Sequence, residues 1–217
     1  MLLYHFVPSH WGLQNIQRRR VKVATLDALN DPFEMLAATS PSRAHRAAFR
    51  RAKAERAAAV GLLCFSRNWS NPVQWSHYAD GHKGLCLGFE VDDARCRPVR
   101  YRKKRVAFDP HGLDDPAAAK VLIESLMTVK FAHWAYEEEV RVWEDLATCD
   151  HEGDNRFKRF SNVMSLKEVI LGAECDTGRQ AITAKLGDLA PTVRLRDARL
   201  AFKRFAVTEQ LDSRRWQ

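Results

Sequence analysis

The chain has 217 residues, of which 46% are hydrophobic and 29% charged, a balance that is typical of a globular domain and argues against a disordered chain. No apolar run approaches the ~18 residues of a membrane span, and the N-terminal residues lack the basic segment of a signal peptide, so we predict no membrane partner. Five scattered cysteines without a C-x-x-C pair predict reduced thiols in a cytoplasmic protein. The formal net charge of +8 is compatible with an anionic partner.

Apolar runs and period-two alternation predict strands, while helix formers with capping residues predict helices. The predicted strands cover residues 2–7, 21–23, 61–66, 84–91, 136–143, 167–172, 192–195 and 200–207. The predicted helices cover residues 11–20, 41–59, 116–130 and 176–186, and residues 98–108 are predicted as two strands around a basic hairpin turn. This interleaving with short connections predicts an α+β fold, a single domain over 1–217 with a split, mostly antiparallel sheet, peripheral helices and a frayed tail at 213–217.

Residues 75–90 contain the densest group of side chains suited to binding or catalysis. Trp75, His77, Tyr78, Asp80, His82 and Lys83 crowd together before a turn at Gly84 and an apolar strand. Polar and aromatic side chains on a loop held by a rigid strand are typical of a binding site. The alternative is a helix cap and turn in which Trp75 and Tyr78, three residues apart, are core aromatics. The sequence leaves both interpretations open.

A second charged stretch lies in the predicted strand 136–143. Alternation places Glu137, Glu139 and Arg141 on one face, and Val140 and Val142 on the other, toward the core. The charged face is either a surface ladder or the floor of a cleft, and spacing alone does not decide. We predict that this face and the central stretch line one cavity, because neither concentration of polar residues has another evident use.

A series of short motifs in this chain resembles, in content and order, the motifs of a widespread bacterial and phage family without assigned activity. They are LYHF (3–6), NDPFE (30–34), CFS (64–66), WSHYADGHKGLCLGF (75–89), YEEEVR (136–141) and EVILG (168–172). The opening LYHF followed by GLQNI (12–16) is also similar to the start of ADP-ribosyltransferases of the DNA-targeting toxin type. In that fold a strand-borne histidine, an aromatic residue and a late glutamate follow one another, although Val7 here replaces the usual threonine.

This resemblance implies an ADP-ribosyltransferase-like domain with NAD as substrate and His5, Tyr78 and Glu139 as the catalytic set. It implies a cytoplasmic toxin or phage-defence effector that modifies a nucleic acid or a protein. Breaking the nicotinamide bond builds positive charge on the ribose, which a carboxylate such as Glu139 can stabilise. The remaining residues that it implies for cofactor binding are Tyr4, Asn30, Trp75, His77, Lys83, Glu137 and Arg141.

Metal and thiol chemistry are weakly supported. His77, His82 and Cys86 match no common zinc spacing, and Cys86 belongs to an apolar strand, so we predict no metal. Cys64 also lies in an apolar strand, where thiols are usually inert.

Two other functions stay open. One is a non-enzymatic nucleic-acid or partner-binding module, based on the net charge, the basic helix at 43–56 and the basic turn at 102–105, although no known nucleic-acid motif is present. The other is a nuclease that uses the compact group His77, Asp80, His82 and Lys83.

Overall fold

Most strands of the chain join one large sheet. The computed structural model describes residues 1–31, 33, 36–39, 42–107 and 116–216. Its strands are β1 Leu2–Val7, β2 Arg20–Thr25, β3 Val60–Ser66, β4 Leu85–Val91, β5 Cys96–Pro98, β6 Arg100–Arg102, β7 Val129–Phe131, β8 Glu139–Asp145, β9 Asp150–Glu152, β10 Asn155–Arg159, β11 Met164–Leu171, β12 Arg194–Leu200 and β13 Val207–Glu209. Its helices are α1 Ser9–Arg18, α2 Arg43–Ala59, α3 Pro72–Tyr78, α4 Pro116–Leu126 and α5 Arg179–Leu186.

The sheet runs in the order β13-β12-β11-β4-β1-β3-β2-β10-β9, with β8 beside β3 and β5 beside β8. Its pairings are antiparallel except for β11 with β12, and β6 pairs with β7 as a separate parallel ribbon. The prediction of a mixed fold with a large, mostly antiparallel sheet and several helices is therefore confirmed. In the part of the chain that the structure describes, no helix is both long enough and apolar enough to cross a membrane.

The partner of β3 changes along one of its edges. β8 follows the whole of the other edge, from Val60 to Ser66. On the changing edge, β2 pairs at Gly61 and Leu62, whereas β1 pairs at Ser66. Between these points the Cys64 carbonyl accepts a hydrogen bond from His5 Nδ1 at 3.0 Å. β1 and β2 thus diverge along β3, and a side chain replaces the backbone ladder where they part.

The central position of strand β4 in the sheet explains why its residues form a continuous apolar run. It pairs with β1 and β11 along its two edges, and six of its seven residues are buried. Leu85, Leu87 and Phe89 belong to the main core, while Cys86 on the opposite face packs in a second cluster with Trp75 from α3. A strand buried on both faces shows continuous hydrophobicity rather than alternation.

The turn after α3 is held by close backbone contacts. Asn71 caps α3 by accepting from Val73 N at 2.9 Å, and Pro72 occupies its first turn. A Cβ at Gly84 would lie 2.4 Å from the Val7 carbonyl oxygen, and one at Gly172 would lie 2.0 Å from the His82 carbonyl oxygen. These two glycines let the turn pack against the ends of β1 and β11, and this packing fixes α3 over the sheet.

Several predicted boundaries are wrong. The helix predicted to reach residue 130 ends at Leu126, and residues 129–131 form β7. The predicted basic hairpin does not form, because β6 pairs in parallel with β7 and Val106 bridges Ala38. The strand predicted from residue 136 begins at Glu139, after a 3-10 segment and a left-handed Glu138 with φ 45°. Non-local pairing, which spacing does not encode, sets all three.

Some predicted features lie outside the described residues. They are Pro32 and Glu34 of the NDPFE motif, the start of the second predicted helix at 41, and the end of the predicted strand at 108. In the segment predicted as a frayed tail, Ser213–Arg215 form a 3-10 turn, and Trp216 Nε1 donates to the Gln210 carbonyl at 3.0 Å.

Candidate functional site

A cavity of about 230 Å³ lies where β1 and β2 diverge along β3. The residues that line it are Tyr4, His5, Phe6, Ala24, Ala28, Leu29, Asn30, Cys64, Phe65, Ser66, Gln74, Tyr78, Lys130, Glu137, Glu139 and Arg141. His5, Tyr78 and Glu139, although far apart in sequence, therefore line the same cavity. Of the residues predicted to bind the cofactor, Tyr4, Asn30, Glu137 and Arg141 also lie here.

Four charged side chains form a buried cluster in the cavity wall. Lys130 Nζ lies 2.6 Å from Glu137 Oε2 and 3.4 Å from Glu139 Oε2. Arg141 donates through Nε and Nη2 to the two carboxylate oxygens of Glu139 at 2.8 and 3.0 Å, and through Nη1 to the Met127 carbonyl at 2.7 Å. None of the four residues is more than 6% exposed. Each buried ion has an opposite charge beside it, which is the condition under which buried ions are tolerated.

The two carboxylates titrate differently. Burial is the largest influence on Glu137 and raises its pKa above the usual range, although Lys130 and Tyr78 oppose the shift. Burial acts in the same direction on Glu139, but Arg141 and Lys130 together outweigh it and hold the pKa of Glu139 below the usual range. Glu139 is therefore the carboxylate held ionised, and Glu137 is the one closer to taking up a proton.

Tyr78 reaches the cavity from the last turn of α3. Its hydroxyl donates to Glu137 Oε1 and accepts from the amide of Asn30. Burial, followed by the bond to Glu137, raises the pKa of Tyr78 far above its usual range, so the phenol stays neutral. Gln74 on the same helix is buried and donates to Ser66 Oγ at 3.1 Å and to the Tyr136 carbonyl at 3.1 Å. This amide ties α3 to both strand β3 and the segment that carries Glu137.

His5 sits on β1 with its ring partly open to the cavity. Because the Cys64 carbonyl can only accept, Nδ1 carries the proton, and Nε2 of the neutral ring has the free lone pair. Burial lowers the pKa of His5, although the bond to Cys64 opposes the shift, and the ring is therefore neutral at neutral pH. Beside it, burial and then Glu168 raise the pKa of Tyr4 to about 12.

Trp75, predicted to bind the cofactor, lies in the core and not in the cavity lining. Its side chain is fully buried, packs edge-on against Phe6 with ring centroids 5.2 Å apart, and donates through Nε1 to the Trp69 carbonyl at 2.6 Å. A ring enclosed in this way has no face to offer to a nicotinamide. The core interpretation of this residue, left open by the sequence, is the one that the packing supports.

His77 and Lys83 also lie away from the cavity lining. His77 is exposed and hydrogen-bonds the Tyr136 hydroxyl through Nδ1 at 2.9 Å, and Lys83 is exposed on the turn before β4. The prediction that the whole central stretch faces the cavity is thus wrong for these two residues and for Trp75, and holds for Tyr78. The helix α3 turns successive side chains in different directions, which divides the stretch between core, surface and cavity.

Arg141 has a different environment from the one predicted. It forms part of the wall but has no exposed surface, and Glu139 and Met127 engage its guanidinium. This geometry fits a group that orients Glu139 better than one that contacts the cofactor directly. Among the described residues, no cluster of three His, Cys, Asp or Glu side chains is placed to hold a metal ion.

Lys130 was not among the site residues predicted from the sequence. It was placed at the end of a predicted helix, whereas it lies in β7 and its ammonium group joins Glu137 to Glu139. The available signal was a single lysine between Val129 and Phe131, since a cation in a short apolar strand needs a buried carboxylate partner.

The size of the cavity limits what it can take. Pockets that enclose a whole drug-sized ligand usually measure ~300–1,000 Å³, and this one measures about 230 Å³. A dinucleotide cannot be enclosed, but one ring and its sugar can. The ionised Glu139, the neutral His5 and the ring of Tyr78 give this cavity a carboxylate, a lone pair and an aromatic side chain.

Residues 74–142 match the model of a family described as a protein of unknown function (DUF2971). The match confirms, over this range, the predicted similarity to a family without assigned activity. It includes Tyr78, Lys130, Glu137, Glu139 and Arg141 of the cavity, whereas His5 lies outside it. Searches among curated proteins and among solved structures gave no match.

Proposed function

We propose that this protein binds NAD and transfers its ADP-ribose group to a macromolecule, with His5, Tyr78 and Glu139 as the central residues. One observation carries the proposal: these three residues, chosen from their order in the sequence, line one cavity at the divergence of β1 and β2. Three side chains from β1, α3 and β8 meet there because β3 pairs with β1 and β8 and because Gln74 joins α3 to β3.

The electrostatics of the site suit the reaction. When the bond between nicotinamide and ribose breaks, nicotinamide leaves as a neutral molecule with the bonding electrons, and positive charge develops on the ribose. Glu139 is held ionised by Arg141 and can stabilise that charge without reorganising. A nucleophilic atom of the acceptor then bonds to the ribose carbon and loses its proton. Glu137, whose pKa is raised, is the nearby carboxylate suited to accept that proton.

The other cavity residues have matching roles. The ring of Tyr78 stacks on the nicotinamide, while its hydroxyl fixes Glu137. His5 Nε2 accepts a hydrogen bond from a ribose hydroxyl, since Nδ1 is already occupied by Cys64. Lys130 joins the two carboxylates and Arg141 orients Glu139, which makes both of them positioning residues.

The test is to incubate the purified protein with labelled NAD and cell lysate, and to measure free nicotinamide and labelled macromolecules. The wild-type protein should release nicotinamide. Glu139→Gln should lower the rate about a hundredfold or more, since one electrostatic stabiliser is worth ~3 kcal/mol or more in the transition state. Glu138→Gln is the matched control, because Glu138 is exposed and bonds Asn68 at 2.9 Å outside the cavity.

The absence of NAD binding by calorimetry, or equal turnover by wild type and Glu139→Gln, would disprove the proposal. A Glu139→Gln protein that binds NAD but releases no nicotinamide supports it. The thermal unfolding of both variants is measured in parallel, because Glu139 is also a buried ion-pair partner.

A further inference from the structure

A second cavity, of about 310 Å³, lies beside the separate ribbon of β6 and β7. Three segments that are distant in the sequence enclose it, namely residues 33–37, the basic run 102–105 and β7. Backbone hydrogen bonds join the first two segments, because Val106 N donates to the Ala37 carbonyl at 2.7 Å and Thr39 N donates to the Val106 carbonyl at 2.9 Å. The cavity is thus built by non-local pairing of the backbone.

The lining of the second cavity has an apolar side and a basic side. The apolar side consists of Phe33, Leu36, Ala37, Val129 and Phe131. The basic side is the run Arg102, Lys103, Lys104 and Arg105, and all four of these side chains are exposed. No carboxylate is among the described residues that line the cavity. The guanidinium of Arg105 lies over the ring of Phe33, 5.3 Å from its centroid, so the two sides meet there.

Lys130 also lines this cavity, but its ammonium group is engaged elsewhere. It lies 2.6 Å from Glu137 Oε2 and 3.4 Å from Glu139 Oε2, both of which belong to the first cavity. The charges that a ligand of the second cavity can meet are therefore those of the basic run.

We propose that the second cavity binds a small amphiphilic anion. The carboxylate, sulfonate or phosphate group of that molecule pairs with the basic run, and its compact apolar body lies against Phe33, Leu36 and Phe131. Small-molecule sites usually measure ~300–1,000 Å³ and combine a mostly apolar lining with a few polar groups, and this cavity has both properties. The inference goes beyond the proposed function and does not depend on NAD.

Other occupants would use only half of this lining. An inorganic anion would pair with the exposed cations, but exposed ion pairs contribute little and the apolar side would stay in contact with water. A neutral apolar molecule would cover that side and gain nothing from the four cations. A metal cation would be repelled by them. Charge and apolar surface together are satisfied by a molecule that carries both.

The test uses anilinonaphthalene sulfonate, an aromatic anion whose fluorescence increases when its rings leave water, with the full chain. The wild-type protein should bind it saturably and about tenfold more tightly than phenylnaphthylamine, which has the same rings without the sulfonate, since a hydrogen bond to a charged group is worth about that factor. Octanoate and octyl phosphate should displace the probe, whereas sodium sulfate at the same concentration should not. The stronger competitor identifies the preferred head group as carboxylate or phosphate.

Substitutions on the two sides of the cavity should act separately. Phe131→Ala should weaken binding of the probe about tenfold, on the scale of one buried apolar side chain. Lys103→Ala/Lys104→Ala should weaken it about threefold to tenfold at low salt, and the difference should shrink as salt screens the charges. All three side chains are exposed, so the variants should keep their stability, which thermal unfolding checks.

The matched control is Phe202→Ala/Phe205→Ala, in the hairpin between β12 and β13. These rings are 86% and 102% exposed and stand on either side of Lys203 and Arg204, so the hairpin presents the same kinds of side chain outside the second cavity. The control should bind the probe within about twofold of wild type, as expected for surface changes away from a binding site.

Four results would each overturn the inference. They are the absence of saturable binding by wild type, equal affinity for the sulfonate and for phenylnaphthylamine, a loss in the hairpin control as large as that in Phe131→Ala, and displacement by sulfate as effective as that by octanoate. Release of nicotinamide tests the first cavity separately, because neither Phe131 nor the two lysines line it. Failure of one proposal therefore leaves the other unaffected.

Discussion

Glu137 and Glu139 share the ammonium group of Lys130, at 2.6 and 3.4 Å, yet their pKa values move in opposite directions. The difference arises from Arg141, which binds both oxygens of Glu139 while Glu137 meets the neutral hydroxyl of Tyr78. One cavity wall thus holds an ionised carboxylate and a second carboxylate that takes up a proton more readily, the usual arrangement when two acids have distinct tasks.

This difference predicts how stability depends on pH. Glu139 has a lowered pKa in the folded state, so its contribution is present above the unfolded value of ~4.3 and is lost as pH falls through the lower folded value. Glu137 has a raised pKa, so the folded state binds the proton first, and its contribution increases as pH falls toward ~4.3. The urea unfolding midpoint of Glu139→Gln should therefore fall less steeply than that of wild type as pH drops below ~4.3. The midpoint of Glu137→Gln should lack the increase that wild type shows as pH falls toward ~4.3 from above. If the unfolding midpoints of wild type and Glu139→Gln depend on pH in the same way below ~4.3, the lowered pKa of Glu139 is contradicted.

The pairing of Arg141 with Glu139 predicts a strong energetic coupling. Arg141→Met should lower the free energy of unfolding by ~3–5 kcal/mol, because it removes the bidentate partner of a buried carboxylate. The double variant Arg141→Met/Glu139→Gln should recover part of that loss, and a double-mutant cycle from denaturant unfolding measures it. Arg97→Met is the control, since Arg97 faces Arg141 across the strands but is exposed. Additive losses in the cycle would show that the pair is not coupled.

Two substitutions at Tyr78 distinguish the contribution of its ring from that of its hydroxyl. Tyr78→Phe keeps the ring and should bind NAD within a few-fold of wild type, whereas Tyr78→Ala should bind about tenfold more weakly or worse, on the scale of one lost stacking contact. Calorimetry with NAD makes the comparison. Tyr136→Phe is the control, because Tyr136 does not line the cavity and its hydroxyl bonds His77 at 2.9 Å. Equal affinity in wild type and Tyr78→Ala would rule out stacking by this ring.

Trp75 should prove structural. Trp75→Ala should cost ~3–5 kcal/mol of stability, the usual loss for a fully buried aromatic side chain. Trp11→Ala removes the same side chain at 49% exposure and should change stability by ~0.5 kcal/mol or less. Under conditions where Trp75→Phe remains folded, its NAD affinity should equal that of wild type. A selective loss of NAD affinity in Trp75→Phe, without loss of stability, would restore a binding role.

Much of the scaffold could be predicted from local patterns. The strands at 2–7 and 61–66 and the strand after Gly84 are found within one residue of their predicted bounds. Each is a short apolar run ended by proline, glycine or a polar loop, and those signals act within the run itself. The predicted start of the strand at 136 was wrong by three residues because the 3-10 turn depends on contacts with α3.

The candidate site could be predicted only in part from local sequence patterns. Glu137 and Glu139 were expected on one strand face, yet Glu137 belongs to the 3-10 segment and still reaches the same lysine. Lys130 was missed because its strand pairs with β6, which lies 29 residues earlier. Cross-strand neighbours of this kind are set by the assembled sheet and leave no local signal.

The sequence by itself determined which elements form and which chemical groups the chain carries, because propensity and periodicity act between near neighbours. Only the tertiary structure decided which groups meet. Trp75 and Tyr78 are three residues apart on α3, but Trp75 lies over Phe6 in the core while Tyr78, at the end of the helix, reaches the cavity. The deciding factor is the placement of α3 over β1, which depends on how the sheet and the turn at Gly84 pack together.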